Sequence, residues 1–89
     1  MDAGAKRERG TNAEMVERES ERIVSEVARM RRSLGYSQAK LAMAAGIKQP
    51  VVARMETGVN SPRLDTILKV LLPLGKSLTI VDMESPNRQ

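Results

Sequence analysis

The sequence predicts an all-α fold of four to five short helices, followed by one β-strand near the C-terminus. Apolar residues recur at helical spacing as far as residue 72, and Gly or Pro follows each helical run. The last apolar run is instead rich in strand-forming residues. A chain of 89 residues is long enough for one domain at most. We divide the chain into a tail expected to be disordered (1–11), a helical domain (12–75), a strand (76–84) and a second tail (85–89).

The first helix is expected to begin at Thr11 or Asn12, either of which can act as its N-cap. Glu14 then lies in the first turn, where a negative charge is favourable. Gly35 ends the helix after residue 34. The predicted buried stripe of this helix consists of Ile23, Val27, Met30 and Leu34.

Three shorter helices are expected to follow. Ser37 caps a second helix over residues 38–45, which ends at Gly46. A third helix runs over 49–56 with Pro50 in its first turn, where an amide has no helical partner. A fourth helix covers 63–72. Its predicted buried stripe is Leu64, Ile67, Leu68 and Leu71.

The predicted strand over residues 77–83 is the only strand in the sequence pattern. A single strand cannot pair its own backbone groups, so we expect it to pair with the same strand of a second chain. The sequence therefore predicts a homodimer, with Leu78, Ile80 and Val81 as the dimerisation residues. The alternative is a tail that packs on the fourth helix.

The net charge of +4 is unevenly distributed. Residues 1–26 hold five basic and seven acidic side chains, residues 27–76 hold nine and two, and residues 77–89 hold one and two. A strongly basic central segment favours a polyanionic partner such as nucleic acid. The acidic half of the first helix should point away from phosphates, and we expect it either to bind a basic protein or to be simply solvated.

The chain contains no Cys and no His, and Tyr36 is its only aromatic residue. It therefore has no thiol or imidazole ligands for a metal and no platform for stacking single-stranded bases. Glu56 and Asp65 are the only carboxylates of the central segment, and no Gly-rich phosphate loop is present. We expect neither an enzyme nor a bound cofactor or metal ion.

Residues 37–57 have the spacing of two short helices that cross steeply around a tight turn. Ala42 is small enough for the helix crossing, Gly46 tolerates the positive φ of the turn, and Val52 can pack back onto the crossing. The segments GYSQAKLA (35–42) and GIKQPVVARMETG (46–58) resemble the XRE/Cro-like helix-turn-helix family. The ending LPLGKSLTIV (72–81) is similar to HigA-type antitoxins.

The resemblance implies a lambda-repressor-like bundle whose third helix enters the major groove of double-stranded DNA. Gln49 is then implied to contact a base edge, and Arg54 either guanine or a phosphate. Pro50, Val51 and Ala53 are candidates for contact with a thymine methyl group, although Val51 could equally be half-buried. Lys48 stands where the family usually has an N-capping Ser or Thr, and it is expected to reach a phosphate. Gln38 is implied to meet a phosphate, or else to bond locally with Ser37. The remaining implied phosphate contacts are Thr57, Asn60, Ser61 and Arg63.

By the same resemblance, Arg31 and Glu56 form a partly buried ion pair. The function implied is a sequence-specific transcriptional repressor that is also the antitoxin of a type II toxin–antitoxin pair. It would neutralise a RelE/HigB-like mRNA-cleaving toxin and autoregulate its operon from a pseudo-palindromic site. The alternatives are a stand-alone phage-like or metabolic repressor and a pure protein-interaction module. We expect a cytoplasmic, nucleoid-associated prokaryotic protein without a membrane segment.

Overall fold

The computed structural model describes residues 11–58 and 61–83, and this part of the chain contains four helices. They are α1 (Asn12–Ser33), α2 (Gln38–Ala45), α3 (Gln49–Thr57) and α4 (Leu64–Leu71). The all-α fold class is thus confirmed. Of the tail predicted at residues 1–11, only Thr11 is described. The tail predicted at 85–89 and residue 84 of the predicted strand also lie outside the described residues.

The first three helices begin where the sequence indicated, and α4 begins one residue later than predicted, at Leu64. Thr11, rather than Asn12, is the N-cap of α1, and it forms a reciprocal capping box with Glu14. Ser37 caps α2 by accepting a hydrogen bond from the Lys40 amide. Gly46 ends α2 with φ +73°, the left-handed conformation that the tight turn requires.

One hydrophobic core joins all four helices. Leu41 and Ala42 of α2 pack with Val52 and Met55 of α3, so the crossing predicted at Ala42 and Val52 is present. Ile47, in the turn between these helices, is half-buried against the same core. Helix α1 contributes Val24 and Val27 to this core. Helix α4 contributes Ile67, Val70 and Leu71, and Leu74 follows α4.

Two of the predicted buried stripes were partly wrong. Leu34 follows the last helical turn of α1, and it is exposed because the chain turns away there. In α4 the buried face is Ile67, Val70 and Leu71, whereas Leu64 and Leu68 are exposed in the single chain. The predicted and the observed buried faces of α4 are related by a small rotation about the helix axis, and both faces are apolar.

Residues 75–83 are exposed, and residues 77–83 of the single chain have neither helical nor strand structure. Leu78 is 39% exposed, Ile80 97% and Val81 76%. The predicted strand needs a second chain to form its hydrogen bonds, so that strand remains a prediction.

Candidate nucleic-acid interface

The orientation of α3 follows from its two buried residues. Val52 and Met55 face the core, which leaves Gln49, Pro50 and Arg54 exposed on the opposite side. Ala53 is half-buried between these two faces. The exposed side is thus a ridge of one amide, one cation and small apolar groups. It is chemically suited to the base edges of a DNA groove.

The N-terminal end of α3 is electropositive and open. Lys48 occupies the N-cap position without a side-chain capping bond, as its replacement of a capping Ser or Thr led us to expect. Pro50 lies in the first turn, where its missing N–H costs no helical hydrogen bond. The exposed Lys48 ammonium and the helix dipole therefore act together at the same end of the helix.

A chain of side-chain hydrogen bonds leads from this exposed ridge into the protein. The Gln49 Nε2 atom donates to Gln38 Oε1 over 2.9 Å. The Gln38 Nε2 atom donates in turn to Glu56 Oε1, also over 2.9 Å. Glu56 therefore links to the exposed amide of Gln49 although it lies at the far end of α3.

The inner end of this chain is the predicted ion pair between Arg31 and Glu56. Arg31 Nε lies 2.6 Å from Glu56 Oε2, and Arg31 Nη2 lies 3.0 Å from Oε1. The side chains are only 11% and 9% exposed. Arg31 Nη1 also donates to the Tyr36 carbonyl. Burial alone would raise the pKa of Glu56, but hydrogen bonds from Arg31 and Gln38 hold it below its ordinary value.

The polar groups after α3 were predicted to contact phosphates. Thr57 is the last residue of α3, and its hydroxyl donates to the Arg54 carbonyl. Ser61 is exposed, and Arg63 is the exposed N-cap of α4, where it pairs with Asp65. Asn60 lies outside the described residues. Thr57 thus lies at the C-terminal end of the ridge, and Ser61 and Arg63 follow it in the chain.

The acidic half of α1 lies beside the same loop. Glu17 and Glu21 line a shallow cleft between α1 and the segment around Gly58 and Pro62. Other acidic groups of α1 are paired on its surface, Glu19 with Arg22 and Glu26 with Arg29. The cleft thus offers two carboxylates to a cationic group.

The comparison with protein families identifies the core of the chain. Residues 27–81 match the model of a helix-turn-helix family. The chain belongs to the XRE/Cro-like helix-turn-helix family. This match contains both α2 and α3, and therefore the whole ridge.

Two relatives support the assignment to the helix-turn-helix family. An HTH-type transcriptional regulator of Haemophilus influenzae is 45% identical over 65 residues, which are 73% of this chain and 66% of the relative. This chain thus spans slightly less than two thirds of that relative's length. A chain from a toxin–antitoxin module of Streptococcus pneumoniae superposes with a TM-score of 0.70 at 45% identity. That superposition covers 91% of this chain and 90% of the other.

Within the helix-turn-helix unit, the structure changes the interpretation of Gln38. The sequence suggested a phosphate contact or a bond with Ser37. In the structure, Ser37 caps the Lys40 amide, and the half-buried Gln38 bonds to Glu56 and Gln49. The sequence analysis missed the connection of Glu56 to the ridge. The resemblance implied the contact of Glu56 with Arg31, but it did not indicate the hydrogen bond between Gln38 and Glu56, which are eighteen residues apart.

The described helices include none that combines the length and apolar character needed to cross a membrane.

Proposed function

We propose that this protein binds double-stranded DNA in a sequence-specific manner and represses transcription. The observation that carries the proposal is the exposed ridge of α3, held away from the core by the buried Val52 and Met55. A helix of this width fits the major groove, where each base pair presents a distinct edge. Family membership and the basic charge of residues 27–76 support it.

Within this proposal, Gln49 and Arg54 read base edges, and Pro50 and Ala53 contact thymine methyl groups. Gln38 acts on Gln49, and it can also reach a phosphate with its remaining N–H. The backbone contacts, which fix register but not sequence, come from Lys48, Thr57, Asn60, Ser61 and Arg63.

The test is selection of DNA from a random pool by the purified protein, followed by binding measurements on the selected site. Gln49→Ala should relax preference at one base pair, at a cost of roughly 1–3 kcal/mol. Arg63→Ala should lower the affinity for all DNA sequences alike. It should also reduce the slope of log affinity against log salt concentration by about one unit. Arg22→Ala is the matched control, because it removes the same charge from the acidic half of α1. It should change neither the affinity for DNA nor its salt dependence. A pool that yields no enriched sequence would refute the proposal.

We propose that the binding unit is a homodimer. Leu64, Leu68 and Leu72 are exposed on one side of α4, and Ile80 is exposed in the segment that follows. A second copy would cover this apolar surface and pair the extended segments, with Leu78 and Val81 contributing to the shared core. Two α3 helices would then lie about 34 Å apart, one DNA turn, on a pseudo-palindromic site.

Sedimentation at micromolar concentration tests the dimer. Wild type should sediment as a dimer and Ile80→Glu as a monomer. Val16→Glu places the same charge on an exposed apolar position of α1 and should remain dimeric. A monomeric wild type would show the dimer proposal to be wrong.

We propose further that the protein is an antitoxin whose acidic α1 half binds a small basic toxin of the RelE/HigB-like mRNA-cleaving type, and that it represses its own operon. The similarity to a chain from a toxin–antitoxin module supports this proposal, and so do Glu17 and Glu21 in the cleft. Co-purification with a basic protein from the neighbouring reading frame should be lost in Glu17→Lys/Glu21→Lys. It should persist in Asp65→Lys. A neighbourhood without such a gene would favour the stand-alone repressor.

A further inference from the structure

The carboxylates of α1 differ in how their charges are compensated. Glu14 is held in the capping box, and Glu19 and Glu26 each pair with an arginine three residues later. Among the residues that the structure describes, neither Glu17 nor Glu21 takes part in an ion pair, and both are exposed. These two side chains therefore keep an uncompensated negative charge at the surface of the helix.

Glu17 and Glu21 are four residues apart, which places them on the same side of α1. This side forms one wall of the shallow cleft, and Gly58, Ser61 and Pro62 form the opposite wall. The opposite wall belongs to the segment between α3 and α4, for which we propose contacts with DNA phosphates. The structure thus places two negative charges beside a surface that is proposed to bind a polyanion.

Carboxylates and phosphates in this arrangement repel each other. Charges interact through water over about one Debye length, which is about 8 Å at 0.15 M salt and longer at lower salt. A phosphate that contacts Ser61 would lie within this range of both carboxylates, since Ser61 forms part of the same cleft. The repulsion carries no sequence information, because the phosphates are the same at every base pair.

We infer that Glu17 and Glu21 oppose the contacts of the α3–α4 segment with the DNA backbone, and so lower the affinity of the protein for every DNA sequence alike. This inference rests on the proposed DNA binding of α3. The two glutamates act in the opposite direction to Lys48 and Arg63, whose positive charges attract the same backbone. A lower backbone affinity keeps the protein from accumulating on non-specific DNA, where binding is almost entirely electrostatic.

Replacement by glutamine removes the two charges with little change in the shape of the side chains. The test variant is Glu17→Gln/Glu21→Gln. The matched control is Glu19→Gln/Glu26→Gln, which changes the net charge of the protein by the same amount. Neither control residue lines the cleft, and Glu26 instead interacts electrostatically with Lys76, which follows α4. The two variants therefore separate a local effect of the cleft from an effect of total charge.

The experiment measures binding of each purified protein to the selected site and to a scrambled duplex of the same length. At about 0.05 M salt, Glu17→Gln/Glu21→Gln should bind both duplexes roughly 3- to 10-fold more tightly than wild type. Each single substitution should give part of this gain. The gain should shrink as salt rises toward about 0.3 M, because screening shortens the range of the repulsion. Glu19→Gln/Glu26→Gln should stay within about 2-fold of wild type.

The outcomes separate the inference from the function on which it rests. Unchanged affinity in Glu17→Gln/Glu21→Gln would overturn the inference and leave the proposed DNA binding intact. An equal gain in the control variant would overturn it as well, since total charge would then explain the result. So would a gain confined to the selected site, because the glutamates would then act on base reading. A wild type that binds neither duplex would refute the proposed function, and the inference would fail with it.

Discussion

Replacing Arg31 by Met should destabilise the fold far more than any other single charge removal on α1. Arg31 donates two hydrogen bonds to Glu56 and a third to the Tyr36 carbonyl. Without it, the Glu56 carboxylate keeps Gln38 as a donor but loses its counter-charge in a site where it is only 9% exposed. The carbonyl of Tyr36 loses its bond to the guanidinium as well.

The size of the effect follows from burial. Removing one partner of a buried ion pair typically costs about 3–5 kcal/mol, because the remaining charge is left without compensation. Gln38 still donates to the carboxylate, so we expect the lower end, about 3 kcal/mol. Small domains have about 5–15 kcal/mol in total, so this is a large share of their stability.

Urea unfolding followed by far-ultraviolet circular dichroism at neutral pH measures the loss. Arg29→Met is the matched control, since its pair with Glu26 is 62% and 51% exposed. Exposed pairs contribute about 0–1 kcal/mol, so this variant should be close to wild type. The double variant Arg31→Met/Glu56→Met removes both charges and should recover part of the loss. Equal, small losses in both single variants would refute the reasoning from burial.

Three further predictions concern the core, the turn and pH. Leu41→Ala should cost about 3 kcal/mol in denaturant unfolding because Leu41 is fully buried, whereas Met43→Ala, 80% exposed on the same helix, should be nearly neutral. Gly46→Ala should cost about 1 kcal/mol in the same assay, since the left-handed backbone there strains any Cβ although the space is open. Hydrogen bonds from Arg31 and Gln38 lower the pKa of Glu56 in the folded protein, so its ionised form stabilises the fold above the ordinary glutamate pKa, and this contribution is lost as pH falls through the lowered value. The unfolding free energy of Glu56→Gln should therefore fall less steeply than that of wild type as the pH falls below the ordinary glutamate pKa, and equal slopes would contradict the assignment.

The sequence predicted the α2–α3 unit well because backbone geometry constrains it closely. A steep crossing allows only small side chains, and a turn of this length needs a residue with positive φ, so Ala42 and Gly46 carry position-specific information. The cap of α1 was predictable for the same reason, since Thr11 and Glu14 bond to nearby backbone amides.

The buried face of α4 was less predictable, because apolar residues surround much of this helix. Leu64 and Leu68 satisfy a helical period as well as Val70 and Leu71 do, and periodicity alone does not choose between adjacent stripes. The choice depends on where Leu41 and Val52 lie in the assembled core. The exposed stripe is still informative, because a helix with two apolar faces keeps one of them uncovered in the single chain.

The connection between Glu56 and Gln49 was unpredictable for a deeper reason. Side-chain hydrogen bonds between separate helices depend on the final crossing geometry, and neither composition nor spacing encodes their polarity. In this fold Arg31, Gln38 and Gln49 come from three helices and meet through the one carboxylate of Glu56. The same carboxylate therefore holds α1 to α3 and, through Gln38, is connected to the exposed amide of Gln49. Substitutions in the apolar core, such as Leu41→Ala, should lower stability and leave base preference unchanged in the molecules that remain folded.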